Sequence, residues 1–245
     1  MTDIATALED GVLTVTFDRP EKKNALTGAM YEAIMAAMGA AEADDKIGAI
    51  VFAGAQGAFT AGNDIRDFVD AAEADDFPAL RFVRRLATFP KPMVAAVEGV
   101  AVGVGVTMLL HCDLVYAAPD SMFLMPFVDL GVTPEAGATL LLPQRVGLAK
   151  ATELLMLADP FDAREGERLG LVNAVVPTER LHARAHERAR QLCAKPRSAL
   201  LATRRLMRGE PDALLARIDA EAKAFVAGLR SAEAKQALAA FLARG

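Results

Sequence analysis

Apolar residues in the first two thirds of the chain follow two rhythms. Over 4–8 and 12–17 they alternate with other residues around Glu9, Asp10 and Gly11, the pattern of a β-hairpin. Unbroken apolar runs follow at 49–53 (AIVFA), 93–97 (MVAAV) and 114–117 (LVYA), with another strand at 172–176. Such runs read as strands buried on both faces. Helical spacing lies between them. Thr27 is placed to cap a helix through Met30, Ile34, Met35 and Met38. Further helices are predicted over 65–73, 80–88, 104–112 and 150–157. Short apolar strands alternating with helices predict an α/β fold with a mostly parallel sheet. From 178 to 244 the pattern becomes successive amphipathic helices, with Pro196 and Pro211 at their first turns. The expected organisation is an α/β core over 1–178 and a helical segment over 179–245.

Composition narrows the partners. The chain has 245 residues, 53% of them hydrophobic, enough for one large core. Its 27 basic and 32 acidic residues give a net charge of -5, and no basic run exceeds two residues. Both facts argue against nucleic acid as a partner. Cys112 and Cys193 lie outside any CxxC pattern and read as free thiols in a reducing compartment. His182 and His186 are four apart but have no nearby cysteine and no HExxH glutamate, so no metal site is expected. The N-terminal stretch is acidic rather than signal-like, and runs such as 140–142 are too short to span a bilayer. These features predict a soluble cytoplasmic protein with no membrane partner.

Three loops carry the candidate chemistry. DRPEKKNAL (18–26) follows the hairpin, FTAGNDI (59–65) follows the AIVFA strand, and EGVAVGVGVT (98–107) follows MVAAV and opens a helix. All three lie beyond the C-terminal ends of predicted parallel strands, where open α/β sheets place ligands. Gly103 and Gly105 do not complete G-x-G-x-x-G, because Met108 stands where the third glycine belongs. The glycines serve either tight turns or an exposed helix N-terminus whose free N–H groups face a carbonyl oxygen. A fourth stretch, VTPEAGATLLLP (132–143), sets Glu135 between a proline and a run of small and apolar residues. Two readings of that carboxylate stand open: a first-turn charge favoured by a helix dipole, or an acid–base group in an apolar pocket.

Five ordered motifs, RPEKKNAL (19–26), FTAGNDI (59–65), PMVAAVEGVAVGVG (92–105), CDLVYA (112–117) and RLGLVN (168–173), together resemble the crotonase superfamily, the enoyl-CoA hydratase/isomerase family. The resemblance implies a spiral of ββα turns with a helical C-terminal segment that drives assembly into a homotrimer or a pair of stacked trimers. It implies that the segment over 179–245 also covers the active site. It implies an acyl-CoA thioester as substrate, no further cofactor, and an oxyanion hole of two backbone N–H groups. By position these belong to Asn63 and Val104, although glycine is commoner where Val104 stands. Ala61, Gly62, Asn63, Asp64 and Ile65 are expected to line the thioester and pantetheine. Lys22 or Lys23 is the candidate for the CoA phosphates, Ala25 for the adenine side, and Phe127 and Leu130 for apolar wall.

Hydratases of this family use two glutamates, and those positions here hold Thr107 and Phe127. Neither side chain transfers a proton as a carboxylate does near neutral pH. The segment around Glu135 is similar to the branch that isomerises 3-enoyl-CoA to 2-trans-enoyl-CoA with one glutamate base, a reaction of fatty-acid breakdown. The alternatives are a hydratase in which Asp129 works with Glu135, and a crotonase-like protein that binds acyl-CoA or a partner without turnover. Asp64 is expected to cap the following helix, and Thr107 to pack or hydrogen-bond within its own.

Overall fold

A computed structural model describes residues 3–67 and 77–242. The hairpin forms as expected: β1 (Ile4–Glu9) and β2 (Val12–Phe17) pair antiparallel, Ile4 opposite Phe17. Strands β3 (Ala49–Gly54) and β4 (Met93–Val97) then add in parallel, Val15 facing Phe52 and Phe52 facing Ala95. With β6 (Leu114–Ala117) and β9 (Ala174–Val175) they complete a six-stranded sheet of order β1-β2-β3-β4-β6-β9.

The continuous apolar runs follow from what covers each face of this sheet. Ile50 and Phe52 join the main core, which holds Met30, Ile34 and Met38 of α1 (Gly28–Ala43) and Phe82 and Leu86 of α2 (Pro78–Thr88). Their neighbours Val51 and Ala53 point the other way, into a smaller cluster with Leu181, Ala185 and Ala189 of α7 (Thr178–Cys193). With both faces dry, no polar alternation is required. α1 begins as expected, with the Thr27 hydroxyl accepting from the Met30 N–H at 3.3 Å. The helix expected over 65–73 has residues 65–67 helical, and its remainder lies outside the described residues.

The sequence reading misses a second sheet. The stretch after MVAAV does not pass straight into a helix: β5 (Val100–Val102) intervenes and pairs in parallel with β7 (Met122–Leu124). β7 in turn pairs antiparallel with β8 (Phe161–Asp162). These strands have two or three residues each, too few to register as a period. Beyond β5 the predicted helix is split into α3 (Val104–Thr107) and a 3-10 segment, Met108–His111. The chain continues through α4 (Ala138–Val146), α5 (Leu148–Thr152), a π-helical turn at Glu153–Leu157, and α6 (Ala163–Arg168). After α7 come α8 (Arg197–Arg208), α9 (Asp212–Leu229) and α10 (Ala232–Leu242), with Pro196 and Pro211 at the N-caps of α8 and α9. Arg204 and Arg208 of α8 both bind the Asp113 carboxylate at the start of β6.

Candidate active site

Two backbone bridges bring the three candidate loops together. Leu26 straddles Asn63, its N–H donating to the Gly62 carbonyl at 2.8 Å and its own carbonyl accepting from Asp64 N–H at 2.9 Å. In a parallel bridge the straddled residue turns its own N–H away from that partner. Thr60 meets β5 likewise, through Val100 and Val102. The approach is close: a Cβ on Gly62 would lie 2.9 Å from the Val102 carbonyl oxygen, and one on Gly105 would lie 2.6 Å from Thr60 Cγ2. Gly103 N-caps α3, leaving Val104 in the first helical position, where the N–H has no intrahelical acceptor. Among the hydrogen bonds of the described residues, neither Asn63 N–H nor Val104 N–H finds an acceptor.

The residues around these amides are tied to the core. Tyr31 of α1 donates its hydroxyl to Asn63 Oδ1 at 2.5 Å. Arg19 donates to Asp64 Oδ2 at 2.7 Å and to the Ala25 carbonyl at 3.1 Å. Asp64 Oδ1 accepts from the N–H groups of Arg66 and Asp67, the capping role expected of it. Burial opposes ionisation of Asp64, but the Arg19 bond and these N–H groups bring its pKa down overall. Asn24, fully buried, donates to the carbonyls of Ala55 and Ala58.

A cavity of about 610 Å³ opens here, within the size range of small-molecule sites. Its lining includes Lys22, Ala25, Ala61, Gly62, Asn63, Asp64, Ile65, Phe127 and Leu130, all expected from the sequence. Arg19, Arg66 and Val132 also line it, as do Phe225 and Leu229 of α9 and Leu238 of α10. A covering role is expected of the C-terminal segment, but the sequence singles out none of these residues, because an amphipathic helix does not declare what its apolar face meets. Lys23 is exposed and outside the lining. Val104 and Glu135 are 1% and 4% exposed and are not lining residues.

Glu135 is not a first-turn helix residue. α4 starts at Ala138 with Gly137 as its N-cap, so Glu135 sits on the turn before it, and its carbonyl accepts from the Ala138 N–H at 3.0 Å. Thr107 of α3 donates its hydroxyl to Glu135 Oε1 at 2.5 Å. Thr107 therefore bonds out of its helix, not within it. Burial lifts the Glu135 pKa to about 8, the Thr107 bond pulls it down, and the Glu221 charge pushes it up.

Two further side chains hold this turn. Glu221 of α9, itself buried, accepts from Gly137 N–H at 2.6 Å, and from the Thr139 N–H and hydroxyl at 2.9 and 2.6 Å. His111 Nε2 contacts the Ala136 carbonyl at 2.7 Å. Glu221 left a trace in the sequence, a carboxylate at an apolar register of α9 between Ile218 and Phe225. Asp129 lies on the exposed 3-10 turn Val128–Leu130, outside the cavity lining. No cluster of metal-ligating side chains occurs among the described residues, and no described helix is long and apolar enough to cross a membrane.

Residues 7–245 match the family described as Enoyl-CoA hydratase/isomerase. The chain is 36% identical to the 1,2-epoxyphenylacetyl-CoA isomerase of Escherichia coli K12, over 98% of this chain and 95% of that one. It is 35% identical to rat enoyl-CoA delta isomerase 2, covering 98% of this chain but only 63% of the longer rat protein. A probable enoyl-CoA hydratase of Rhizobium meliloti is also 35% identical, over 94% and 91% of the two chains. Among solved structures, Pseudomonas aeruginosa OdaA superposes with a TM-score of 0.95 at 42% identity, covering 99% of both chains.

Proposed function

This chain belongs to the enoyl-CoA hydratase/isomerase family, and from that premise we propose that it isomerises 3-enoyl-CoA to 2-trans-enoyl-CoA, with Glu135 as the single base. In its ionised form Glu135 removes a proton from C2 of the substrate. The electron pair delocalises into a dienolate whose charge rests on the thioester oxygen, between the Asn63 and Val104 N–H groups. Protonated Glu135 then returns the proton to C4, giving the conjugated product with no net change in atoms. A carboxylate with a pKa of about 8 suits both steps, since a shuttle must give up its proton as readily as it takes it. Backbone donors fixed before substrate arrives stabilise the oxyanion without reorganisation.

One observation carries the reading: the Thr107 hydroxyl, where a hydratase of this family would offer a second carboxylate, is spent on Glu135. The other hydratase position, Phe127, is a buried apolar ring on the cavity wall. Asp129, the remaining acid considered for pairing, is exposed. The names of the relatives include both isomerases and hydratases, so the reaction is tested directly. Purified protein is given a 3-enoyl-CoA and, separately, a 2-enoyl-CoA. Appearance of the conjugated thioester from the first, faster than hydration of the second, is expected; faster hydration overturns the reading.

In the same proposal Lys22, with Arg19 and Arg66 beside the cavity, meets the CoA phosphates, and Ala25 lies on the adenine side. The reaction places the protein in fatty-acid breakdown. Assembly into a homotrimer or a pair of trimers is part of the proposal. It is supported by Leu206 and Met207 of α8, which are 78% and 82% exposed and gain a dry contact in an oligomer. Sedimentation velocity reads this directly.

A further inference from the structure

The peptide bond between Ala136 and Gly137, one residue past Glu135, is held at both ends by side chains from distant parts of the chain. Its oxygen, the Ala136 carbonyl, meets His111 Nε2 at 2.7 Å. Its N–H, on Gly137, donates to Glu221 Oε2 at 2.6 Å. A carbonyl only accepts, so His111 carries its proton on Nε2, and Nδ1, buried and without a partner, is bare. This neutral form is the stable one, because burial takes the His111 pKa down to about 4.

The turn needs holding. Ala136 and Gly137 are successive residues in the left-handed region, at φ +61° and +71°, and Ala136 carries a Cβ there. A Cβ at 137 would lie 2.4 Å from Leu214 Cδ1 of α9, so this turn packs directly against that helix and the leucine would have to shift to admit a side chain. Glu221 also touches the chain on the other side of Glu135: its backbone carbonyl accepts from the Thr133 hydroxyl at 3.4 Å. One residue of α9 thus brackets the segment that carries Glu135.

We propose that His111 and Glu221 are positioning residues that fix the Ala136–Gly137 peptide between them, so that the seating of α9 against the core sets the aim of the Glu135 carboxylate. This rests on the reading of Glu135 as the base. Neither group need touch substrate: His111 bonds the Ala136 carbonyl, and both Glu221 oxygens are engaged by Gly137 and Thr139. Glu221 has three donors and Glu135 has one, so of the two buried carboxylates Glu135 is the one set to carry the mobile proton.

The test compares His111→Phe, Glu221→Leu, their double variant and Glu135→Gln, reading kcat and KM on a 3-enoyl-CoA together with the melting temperature. Misplacing a base by a fraction of an ångström lowers kcat and leaves binding intact, so each single variant is expected to lose about tenfold or more in kcat with KM changed less than about threefold. Both groups act on one peptide, so the double variant loses little more kcat than the worse single variant. Wild-type kcat in either folded single variant, a loss confined to KM, or kcat losses that multiply in the double variant overturn the proposal. Should an apolar variant fail to fold, Glu221→Gln replaces it. Its amide must face one of the N–H donors, so a kcat loss of about threefold or more is expected, and wild-type kcat refutes the clamp. Wild-type rates in Glu135→Gln overturn the base assignment and the clamp together. Loss in Glu135→Gln with none in the others overturns the clamp alone.

Discussion

The two halves of the candidate site are built from different materials. The proposed oxyanion half, the N–H groups of Asn63 and Val104, is backbone, held by the bridges from Leu26 to Asn63 and from Thr60 to the short strand Val100–Val102. The proposed base half is one side chain, Glu135, on a strained turn held by side chains from α3, from the Met108–His111 segment and from α9. In this reading the first is expected to tolerate a change of side chain, since only its N–H groups are used, but no change in the course of the chain. The second is expected to tolerate neither loss of its carboxylate nor loosening of its supports. Side-chain deletion and N–H deletion therefore strike opposite halves.

Glu135→Gln is the largest blow to the base half. It keeps the shape and removes the proton acceptor, and loss of a general base costs roughly 10²–10⁴ in kcat. Affinity for CoA thioesters, measured by titration, is expected to survive. The same variant has a signature in stability. Folding raises the Glu135 pKa from 4.5 to about 8, so the folded protein holds a proton that the unfolded chain has released between those values. Stability contributed by that proton is full below pH 4.5 and is lost as pH rises through 8. Glu135→Gln is thus expected to melt a few degrees higher than the parent at pH 9, with the gap closing at low pH. An unchanged gap across pH contradicts burial of the charge.

The matching blow to the oxyanion half is Val104→Pro. Proline is accommodated at the first helical position, where its missing N–H costs the helix nothing. What disappears is the oxyanion donor, and kcat is expected to fall roughly 10²–10³-fold. Val104→Ala, which keeps the N–H, is expected to stay within about threefold of the parent. Equal losses in the two variants would show that the side chain, not the backbone, matters at this position.

The same contrast explains what the sequence disclosed. Long two-face-buried strands and the hairpin were legible because their periods span five or six residues. The strands at Val100–Val102, Met122–Leu124 and Phe161–Asp162 were not, since two or three residues carry no period. Backbone donors have no side-chain signature, so Asn63 and Val104 were reached only through the resemblance of their loops. Glu135 stood out as a carboxylate in an apolar stretch, but the Thr107 hydroxyl that meets it comes from 28 positions upstream. The histidine at its turn comes from a similar distance, and Glu221 sits more than 80 residues downstream, separations that only tertiary packing closes.

Thr107→Val probes the base half more gently. The Thr107 hydroxyl favours the ionised form of Glu135, so its removal moves the pKa further above 8. The free enzyme must hold Glu135 ionised to act, so kcat/KM is expected to rise with pH through about 8 in the parent and at higher pH in the variant. At pH 7 the cost is about tenfold, the scale of one hydrogen bond to a charged group. A pH–rate curve that stays in place would remove Thr107 from the account.

The smallest expected effect is the most specific. If Asp129 shared the work of Glu135, Asp129→Asn would cost on the order of a hundredfold, as loss of a general acid does. The structure sets Asp129 on an exposed turn next to Leu130, which lines the cavity while Asp129 does not. A surface carboxylate of this kind contributes through screened, long-range charge alone, worth less than about twofold at physiological salt. Isomerisation by Asp129→Asn is therefore expected at close to the parent rate, with any residual hydration of 2-enoyl-CoA equally unmoved. A selective loss of hydration with isomerisation retained would instead make Asp129 the second carboxylate of a hydratase pair, and the lone-base account of Glu135 would fall with it.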